Sequence, residues 1–280
     1  MELTGKTALV LGGTGGIGKA VALYLLRRGM NVAVNYLDWE SRVPSLEKDL
    51  ARVSPHHLVI KADLTDPDAA VSLADRTASH FNGLHVLVNN VERGGWPVVH
   101  GPYTKEQWDL EFAATLRAKR HAFEAALPLL LAQEEGAVVN VSSIAGKVGR
   151  CGPASPVFAE GYAAANRGVS ALTESWARRA APTVRVNELS LGFVETRHGP
   201  GARGWNLLSE GQRMAITNHT LLRRTGRLDD VARAVGFLLA DADFMTGQCL
   251  VLDGGFLLGG EPVEEMPAGV IKPGESVLGE

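Results

Sequence analysis

Short apolar segments alternate with segments of helical periodicity along almost the whole chain. The apolar segments predicted as strands are 7–11, 31–36, 57–61, 86–89, 137–141, 184–189 and 248–252. The segments predicted as helices are 17–28, 46–53, 67–81, 105–131, 162–180 and 229–239. Apolar strands separated by helices are typical of a parallel sheet with helices on both faces. The alternation therefore predicts an α/β fold with a doubly wound parallel sheet of about seven strands.

The domain prediction follows from the continuity of this alternation. No linker or internal repeat interrupts it, so a single domain is predicted over 1–260. Residues 194–222 carry several glycines before a helical-looking part, and a mobile substrate lid is predicted there. Residues 261–280 contain three prolines and no periodicity, so a C-terminal tail on the surface or on a neighbouring subunit is predicted.

Composition excludes several classes of partner. The 280 residues carry a net charge of −3, which gives no indication of a nucleic-acid or membrane-surface partner. No signal segment or membrane-length apolar run is present in this sequence, and the two cysteines form no disulfide framework. A cytoplasmic protein is therefore expected. The eight histidines show no metal-ligand spacing, so no metal site is predicted.

A glycine-rich segment lies between the first predicted strand and the first predicted helix. Its sequence, Gly-Gly-Thr-Gly-Gly-Ile-Gly, occupies 12–18. Glycines in this position allow a tight turn and a close approach of the backbone to a pyrophosphate, while the helix N-terminus supplies N–H groups and a positive dipole. The strand–turn–helix context favours a dinucleotide site over a flexible turn and predicts a Rossmann-type domain.

The spacing of Gly12, Gly16 and Gly18 resembles the glycine motif of the short-chain dehydrogenase/reductase family, which includes the 3-oxoacyl-(acyl-carrier-protein) reductases. Further matches follow in chain order over roughly 250 residues, which is far more specific than any single motif. These matches are Asp63-Leu64, Asn89-Asn90, Ser142-Ser143, Tyr162, Arg185-Val186-Asn187, Gly192 to Thr196, Thr246-Gly247-Gln248 and Asp253-Gly254-Gly255.

The resemblance implies a nicotinamide dinucleotide cofactor, and it implies which residues bind it. In the family, the aspartate of the Asp63-Leu64 pair contacts the adenine, and the segment from Gly192 lies beside the nicotinamide. The implied cofactor-binding residues are Gly12, Thr14, Gly16, Ile17, Gly18, Tyr36, Asp63, Leu64, Asn89, Gly192 and Thr196.

The choice between NADP(H) and NAD(H) depends on the end of the second strand. NAD-specific members of this fold carry an acidic residue there, but the position is Tyr36, which favours NADP(H). The usual basic partners of a 2′-phosphate are absent, because Gly15 and Leu37 occupy their places. Arg42 could reach in from the following loop, whereas Asp38 would repel a phosphate; both could equally be solvated loop charges. NAD(H) therefore remains open.

The catalytic residues implied by the resemblance are an Asn, Ser, Tyr and Lys tetrad. Ser143, which would bind the substrate oxygen, and Tyr162, which would transfer the proton, are present. The lysine position of Tyr-x-x-x-Lys is Asn166, and the asparagine position is Thr115. Two further departures are Val91-Glu92 in place of Ala-Gly and Leu191 in place of proline. Four departures cluster around one site, which predicts altered chemistry or altered rates.

Asn166 changes the electrostatics expected for Tyr162. A free tyrosine titrates near pH ~10, and a cation about 5 Å away at an effective dielectric of about 20 would lower that pKa by about two units. An amide cannot supply this effect, although it can hydrogen-bond a ribose. Neutral Tyr162 is a poor base for alcohol oxidation but the correct acid for carbonyl reduction. Lys147 is the better candidate for a substitute cation, because Arg167 is expected to face solvent or a partner subunit, but a solvated loop lysine is the favoured interpretation of Lys147.

Three hypotheses follow for function. The first is an NAD(P)(H)-dependent oxidoreductase that reduces a carbonyl, with a small-molecule carbonyl or alcohol as substrate. The second is a non-redox dehydratase or isomerase that uses Tyr162 as acid or base. Glu92 could be its partner, although a surface charge on a loop is the favoured interpretation of Glu92. The third is a cofactor- or ligand-binding protein with weak or no activity. The resemblance also implies a homodimer or homotetramer.

Overall fold

One sheet of seven parallel strands forms the centre of the computed structural model, which describes residues 1–92, 104–196, 205, 208–261, 263–265 and 274. The strands are β1 (Thr7–Val10), β2 (Asn31–Tyr36), β3 (His57–Lys61), β4 (Val86–Asn89), β5 (Gly136–Ser143), β6 (Val184–Leu191) and β7 (Cys249–Leu252). Their order is β3-β2-β1-β4-β5-β6-β7. The chain reverses direction across the sheet between β1 and β4, and such a switch point opens a crevice at the carboxyl ends of the strands.

Helices connect the strands and cover both faces of the sheet. Within the described residues they are α1 (Gly16–Arg27), α2 (Val43–Ala51), α3 (Pro67–Phe81), α4 (Lys105–Phe112), α5 (Ala118–Leu131), α6 (Ala145–Val148), α7 (Glu160–Ala180), α8 (Glu210–His219) and α9 (Leu228–Ala240). Local signals set several boundaries. At α3, for example, the Asp66 carboxylate accepts the N–H of Asp68, and Asn82 ends the helix in a left-handed conformation.

Two apolar layers hold the helices against the sheet. On one face, Val21 and Leu25 of α1 and Val235 of α9 pack on alternate residues of the central strands. On the other face, side chains of α3, α5 and α7 form the second layer, where Phe123 and Trp176 stack with ring centroids 4.2 Å apart. Burial of both sheet faces explains why the strands read as continuous apolar runs.

The predicted fold class is confirmed, and one predicted helix is wrong in detail. The single helix predicted over 105–131 is divided into α4 and α5 by a π-helical turn, Ala113–Arg117. The predicted lid 194–222 contains α8, but 197–204, 206 and 207 lie outside the described residues. Most of the predicted tail 261–280 also lies outside them. The domain limits 1–260, the lid and the tail stay predictions.

The described residues contain neither a membrane-spanning helix nor a cluster of metal ligands. Among the described helices, none combines the length and apolarity needed to cross a bilayer. In the same part of the chain, no three His, Cys, Asp or Glu side chains form a group that could hold a metal ion.

Candidate active site

The glycine-rich turn after β1 is packed so tightly that side chains are excluded. A Cβ atom on Gly18 would lie 2.3 Å from the carbonyl oxygen of Gly12, and one on Gly13 would lie 2.0 Å from Cγ1 of Val34. Gly12 and Gly16 have φ values of 70° and 51°, in the left-handed region that favours glycine. The predicted glycines are therefore required by the turn itself, and the turn brings the backbone to the crevice at the switch point.

The first turn of α1 is not capped by a side chain. Its N-cap residue is Gly15, which has no side chain to bond the helix N–H groups, and the first turn contains no acidic residue. By contrast, α8 begins with a capping box formed by Ser209 and Gln212. An uncapped N-terminus presents its N–H groups and positive dipole to an anion. Ile17 lies in this first turn and Thr14 in the loop before it, and both are half-buried.

Arg42 approaches the same turn from the loop after β2. Its Nη1 atom lies 3.4 Å from the position that a Cβ on Gly15 would occupy. Its guanidinium stacks on the indole of Trp39, 4.3 Å from the ring centroid, and Trp39 has a left-handed backbone with φ 65°. Tyr36 is half-buried at the end of β2. A basic side chain thus lies beside the glycine turn. From the sequence, Arg42 could equally be a phosphate partner or a solvated loop charge.

The pair after β3 forms one wall of the crevice. Leu64 is buried, and its carbonyl oxygen is 3.1 Å from Nδ1 of His121 on α5. The Asp63 side chain is exposed, and its carboxylate accepts hydrogen bonds from the N–H and the hydroxyl of Thr65. The carboxylate retains lone pairs for an adenine amino group after these bonds.

The two asparagines at the end of β4 have different partners. Asn89 is fully buried, and its Nδ2 donates to the carbonyl oxygen of Lys119 at 2.9 Å. Asn90 Nδ2 donates to the carbonyl oxygen of Leu11 at 3.1 Å and more weakly to that of Gly12. The predicted cofactor residue Asn89 therefore directs its amide towards α5, while Asn90 ties β4 to the glycine turn.

Gly192 and Thr196 follow β6 at the same edge of the sheet. The Gly192 N–H donates to Leu252, and a Cβ on Gly192 would lie 2.7 Å from Cα of Asp253. Close packing against the chain after β7 therefore requires glycine here. Thr196 is half-buried, and its N–H donates to Val194.

Ser143 and Tyr162 lie beside one apolar cluster. Ser143 ends β5, is 7% exposed, and its Oγ accepts the N–H of Ala145 at 3.1 Å. Because this bond uses only a lone pair, the hydroxyl proton stays available for donation. Tyr162, in the first turns of α7, is 5% exposed and packs in the cluster that contains Ile144 and Ala145.

Asn166 is the buried residue one helical turn after Tyr162. It is 1% exposed, and its Nδ2 donates to the Tyr162 carbonyl oxygen at 3.0 Å. Its Oδ1 is buried without a hydrogen-bond partner. An unsatisfied buried carbonyl is costly unless a ligand or water donates to it. A ribose hydroxyl is such a donor, so the residues here fit the nicotinamide ribose that the resemblance implies.

Thr115 lies in the π-helical turn between α4 and α5. It is fully buried, and its hydroxyl donates to Oε1 of Glu111 at 2.7 Å. π-Helical turns are often found at functional sites. The turn packs against α7, since a Cβ on Gly168 would lie 3.0 Å from Cδ1 of Leu116.

Several aromatic rings pack together in the same apolar cluster as Tyr162. Phe158 lies next to Tyr162 and stacks on Phe193 with centroids 5.2 Å apart. Phe193 also contacts Phe256 and Trp205. These residues come from four separate segments, so the wall of the pocket beside Tyr162 is largely apolar.

Comparisons with known proteins agree with this arrangement. The family model described as enoyl-(acyl carrier protein) reductase matches residues 12–257. The chain is 31% identical to a 3-oxoacyl-(acyl-carrier-protein) reductase from Staphylococcus aureus, over 92% of this chain and 100% of the relative. A 3-oxoacyl-(acyl-carrier-protein) reductase from Thermotoga maritima is 30% identical, with coverage of 92% and 100%.

A solved structure carries the family name. This variant of a short-chain dehydrogenase/reductase from Serratia marcescens superposes with a TM-score of 0.79 at 26% identity, covering 91% of this chain and 99% of that one. The chain belongs to the short-chain dehydrogenase/reductase family. It is an NAD(P)-dependent oxidoreductase that reduces a carbonyl, and the comparisons do not favour the non-redox alternative.

Within this short-chain dehydrogenase/reductase, the two candidate substitute cations, Arg167 and Lys147, lie on α7 and α6. Arg167 is exposed on α7. Lys147 is close enough to Cys249 on β7 to lower the pKa of that thiol. Burial and the nearby Glu188 carboxylate act more strongly in the opposite direction and raise the pKa of Cys249 to about 11, so the thiol is unreactive at neutral pH. Lys147 therefore lies towards β7.

Three buried charged residues near the site were not predicted from the sequence. Glu188 on β6 is 2% exposed and accepts a hydrogen bond from the Ser142 hydroxyl. Glu111 and Lys119 are 4% and 1% exposed on the helices that flank the π-helical turn. A usable signal existed for Lys119, because it lies four residues after Thr115 and is followed at helical spacing by the apolar residues Ala122 and Phe123.

Proposed function

We propose that this enzyme reduces a small-molecule carbonyl with NADPH, with Ser143 binding the carbonyl oxygen and Tyr162 donating the proton. The observation that carries the proposal is the arrangement at the end of β5. The Ser143 hydroxyl keeps its proton available, and Tyr162 packs against the residues that directly follow Ser143. The names of the relatives make 3-oxoacyl thioesters the first substrates to assay.

The proposed mechanism assigns one task to each side chain. When bound, a nicotinamide cofactor would supply the hydride that reduces the carbonyl carbon. The Ser143 hydroxyl donates a hydrogen bond to the carbonyl oxygen and thereby polarises the bond. The neutral Tyr162 phenol gives its proton to the same oxygen as negative charge develops there. Asn166 Oδ1 would hold the cofactor by accepting a ribose hydroxyl. The apolar wall excludes water from the reacting atoms.

Replacement of Asn166 by lysine tests how far the altered tetrad limits the rate of reaction. The Asn166→Lys variant should oxidise alcohols about 100-fold faster at pH 7, because a cation about 5 Å away favours tyrosinate by roughly two pKa units. The kcat/KM for carbonyl reduction at the same pH should rise by a similar factor, because the equilibrium constant links the two directions and the substitution does not change it. Initial rates in both directions measure the gain. Ala164→Lys, on the exposed side of the same helix, is the control, and no gain in either direction would refute the argument.

The preference for NADPH is proposed from the place of Arg42. A 2′-phosphate would find its guanidinium next to the glycine turn, held by the Trp39 indole. Arg42→Ala should weaken NADPH binding about 10- to 50-fold and leave NADH binding nearly unchanged. Fluorescence titration with each dinucleotide measures both values. Arg52, which is exposed at the end of α2 and pairs with Asp49, provides the alanine control.

Two outcomes would overturn parts of this proposal. If Arg42→Ala weakened NADPH and NADH equally, the residue would support the turn and not the phosphate. If the unmodified enzyme bound neither dinucleotide, the hydride-transfer role would fail, and the third hypothesis, a ligand-binding protein, would replace it. Micromolar binding of NADPH followed by turnover of a 3-oxoacyl thioester would support the proposal directly.

We further propose a cytoplasmic homo-oligomer, either a dimer or a tetramer. The two cysteines are free, which suits a reducing compartment. Phe237 and Phe244, on and after α9, are 42% and 107% exposed, and such apolar side chains favour contact with a second copy. Sedimentation equilibrium of the full chain tests the assembly.

A further inference from the structure

Lys119 is a buried lysine whose ammonium is held by the backbone at the end of β4. Its Nζ donates to the carbonyl oxygen of Asn89 at 3.1 Å and, in a shorter contact, to that of Val91. In return, Asn89 Nδ2 donates to the carbonyl oxygen of Lys119. Because a buried charge needs polar partners in place of water, these carbonyls fix the position of the ammonium.

This ammonium lies at the edge of the sheet where the reaction occurs. β4 and β5 are neighbours, with Asn89 opposite Asn140. Val91 follows β4 at the carboxyl edge, and Ser143 ends β5 at that edge. Neighbouring strands are about 4.8 Å apart, and the carbonyls that hold the ammonium belong to the end of β4, the strand next to the one that ends at Ser143.

The long helix that carries Lys119 also adjoins the altered tetrad. Glu111, Thr115 and Lys119 follow one another at intervals of four residues, and Thr115 donates to Glu111. The π-helical turn that contains Thr115 packs on α7 at Gly168, two residues after Asn166. The helix that carries Lys119 is therefore packed, one turn earlier, against the helix that carries Tyr162 and Asn166.

We propose that Lys119 supplies the fixed positive charge of this active site in place of the cation absent at Asn166, acting as a positioning residue that favours the tyrosinate form of Tyr162. This inference rests on the proposed function for its catalytic meaning. The effect of the Lys119 charge on Tyr162 does not depend on that function, because the titration of Tyr162 can be measured without cofactor or substrate.

Other charged groups act on the same region. Glu111 on α4, Glu92 after β4 and His121 on α5 lie on the elements around Lys119. Lys147 on α6 and Glu188 on β6 lie on the side of Ser143. Their charges contribute to the absolute titration midpoint of Tyr162. A substitution confined to position 119 leaves all of them in place, so the change that it causes reports the charge of Lys119.

The decisive experiment is a pH titration of tyrosine absorbance in Lys119→Gln, with the Tyr162 signal obtained by subtracting the matched Tyr162→Phe protein. Glutamine keeps a donor for the carbonyls of Asn89 and Val91 but removes the charge. The midpoint of Tyr162 should rise by about one pH unit, as expected for a charge about 10 Å away at an effective dielectric of about 20. Lys119→Arg, which keeps the charge, should stay within about 0.3 units of the parent.

Kinetics supply the second readout. In Lys119→Gln, kcat/KM for alcohol oxidation at pH 7 should fall about tenfold, with the pH–rate profile displaced upwards. The kcat/KM for carbonyl reduction at the same pH should fall by a similar factor, because the equilibrium constant links the two directions. Lys105→Gln is the control, because Lys105 is exposed on α4 and pairs with Asp109. Circular dichroism establishes that each variant is folded. If Gln unfolds the protein, Lys119→Met and Lys119→Arg form the comparison pair.

The outcomes distinguish the effect of Lys119 on Tyr162 from the proposed carbonyl reduction. An unchanged Tyr162 midpoint in the folded neutral variant overturns the inference, and equal losses in Gln and Arg variants would show a purely structural lysine. A displaced midpoint in a protein that turns over no carbonyl with either dinucleotide would uphold the electrostatic inference and refute the proposed function.

Discussion

Tyr162→Phe should lower the rate of carbonyl reduction about 1000-fold while leaving dinucleotide affinity within about twofold of the parent. The substitution removes only the hydroxyl that we propose as proton donor. The ring should keep its place beside Phe158, because its packing there is apolar. Single-turnover rates with saturating NADPH measure the chemical step, and fluorescence titration measures the affinity.

Tyr24→Phe is the matched control for this substitution. Tyr24 lies on α1, where its hydroxyl accepts a hydrogen bond from exposed Arg28. Loss of that hydroxyl should leave both the rate and the affinity unchanged. If Tyr162→Phe kept more than about a tenth of the parent rate, another group would have to donate the proton, and the assignment of Tyr162 would be withdrawn.

Gly18→Ala should weaken dinucleotide binding about 100-fold, which corresponds to ~2.7 kcal/mol. The added Cβ would lie 2.3 Å from the carbonyl oxygen of Gly12 and 2.9 Å from its carbonyl carbon. Both atoms belong to the backbone, so no side-chain rotation can relieve the contact and the turn must move. The displaced turn would no longer direct the N–H groups of α1 at the pyrophosphate.

A second glycine near the start of a helix separates this effect from a general cost of alanine. Gly211, in the first turn of α8, would place a Cβ no closer than 3.9 Å to the Ser209 hydroxyl. Gly211→Ala should therefore bind the dinucleotide like the parent. Equal affinities of Gly18→Ala and the parent would contradict the structure of the turn, and thermal unfolding of both variants would identify any loss of fold.

Strand positions could be predicted closely because burial on both faces leaves an unmistakable apolar run. The bounds of β2, β3 and β4 agree with the sequence predictions. β5 was predicted to end at Val141 but continues to Ser143, since pairing with β6 extends through two serines that apolar periodicity does not detect. Short α6 has too few residues for a periodic signal.

The candidate site was predictable where a residue answers a backbone requirement. Gly18 and Gly192 are examples, because the tight packing at both positions admits only glycine. Long-range contacts do not restrict the residue type in this way. The contact of Lys119 with the turn after β4 joins residues 28 positions apart, and the approach of Arg42 to Gly15 depends on a loop conformation. Neither contact follows from the local sequence pattern, although the sequence shows that both residues are charged.

Because of the π-helical turn in Ala113–Arg117, the side chains of α4 and α5 point in different directions around the axis of the long helix. One residue more than α-helical geometry allows rotates everything after it by about 100° relative to what precedes it. α4 therefore faces α7, while α5 faces α3 and the core, although both continue one rod. Deleting a single residue from the turn would restore a regular helix and carry Lys119 off the face that reaches β4. The buried charge beside the reaction thus depends on chain length at one point as much as on the identity of any side chain.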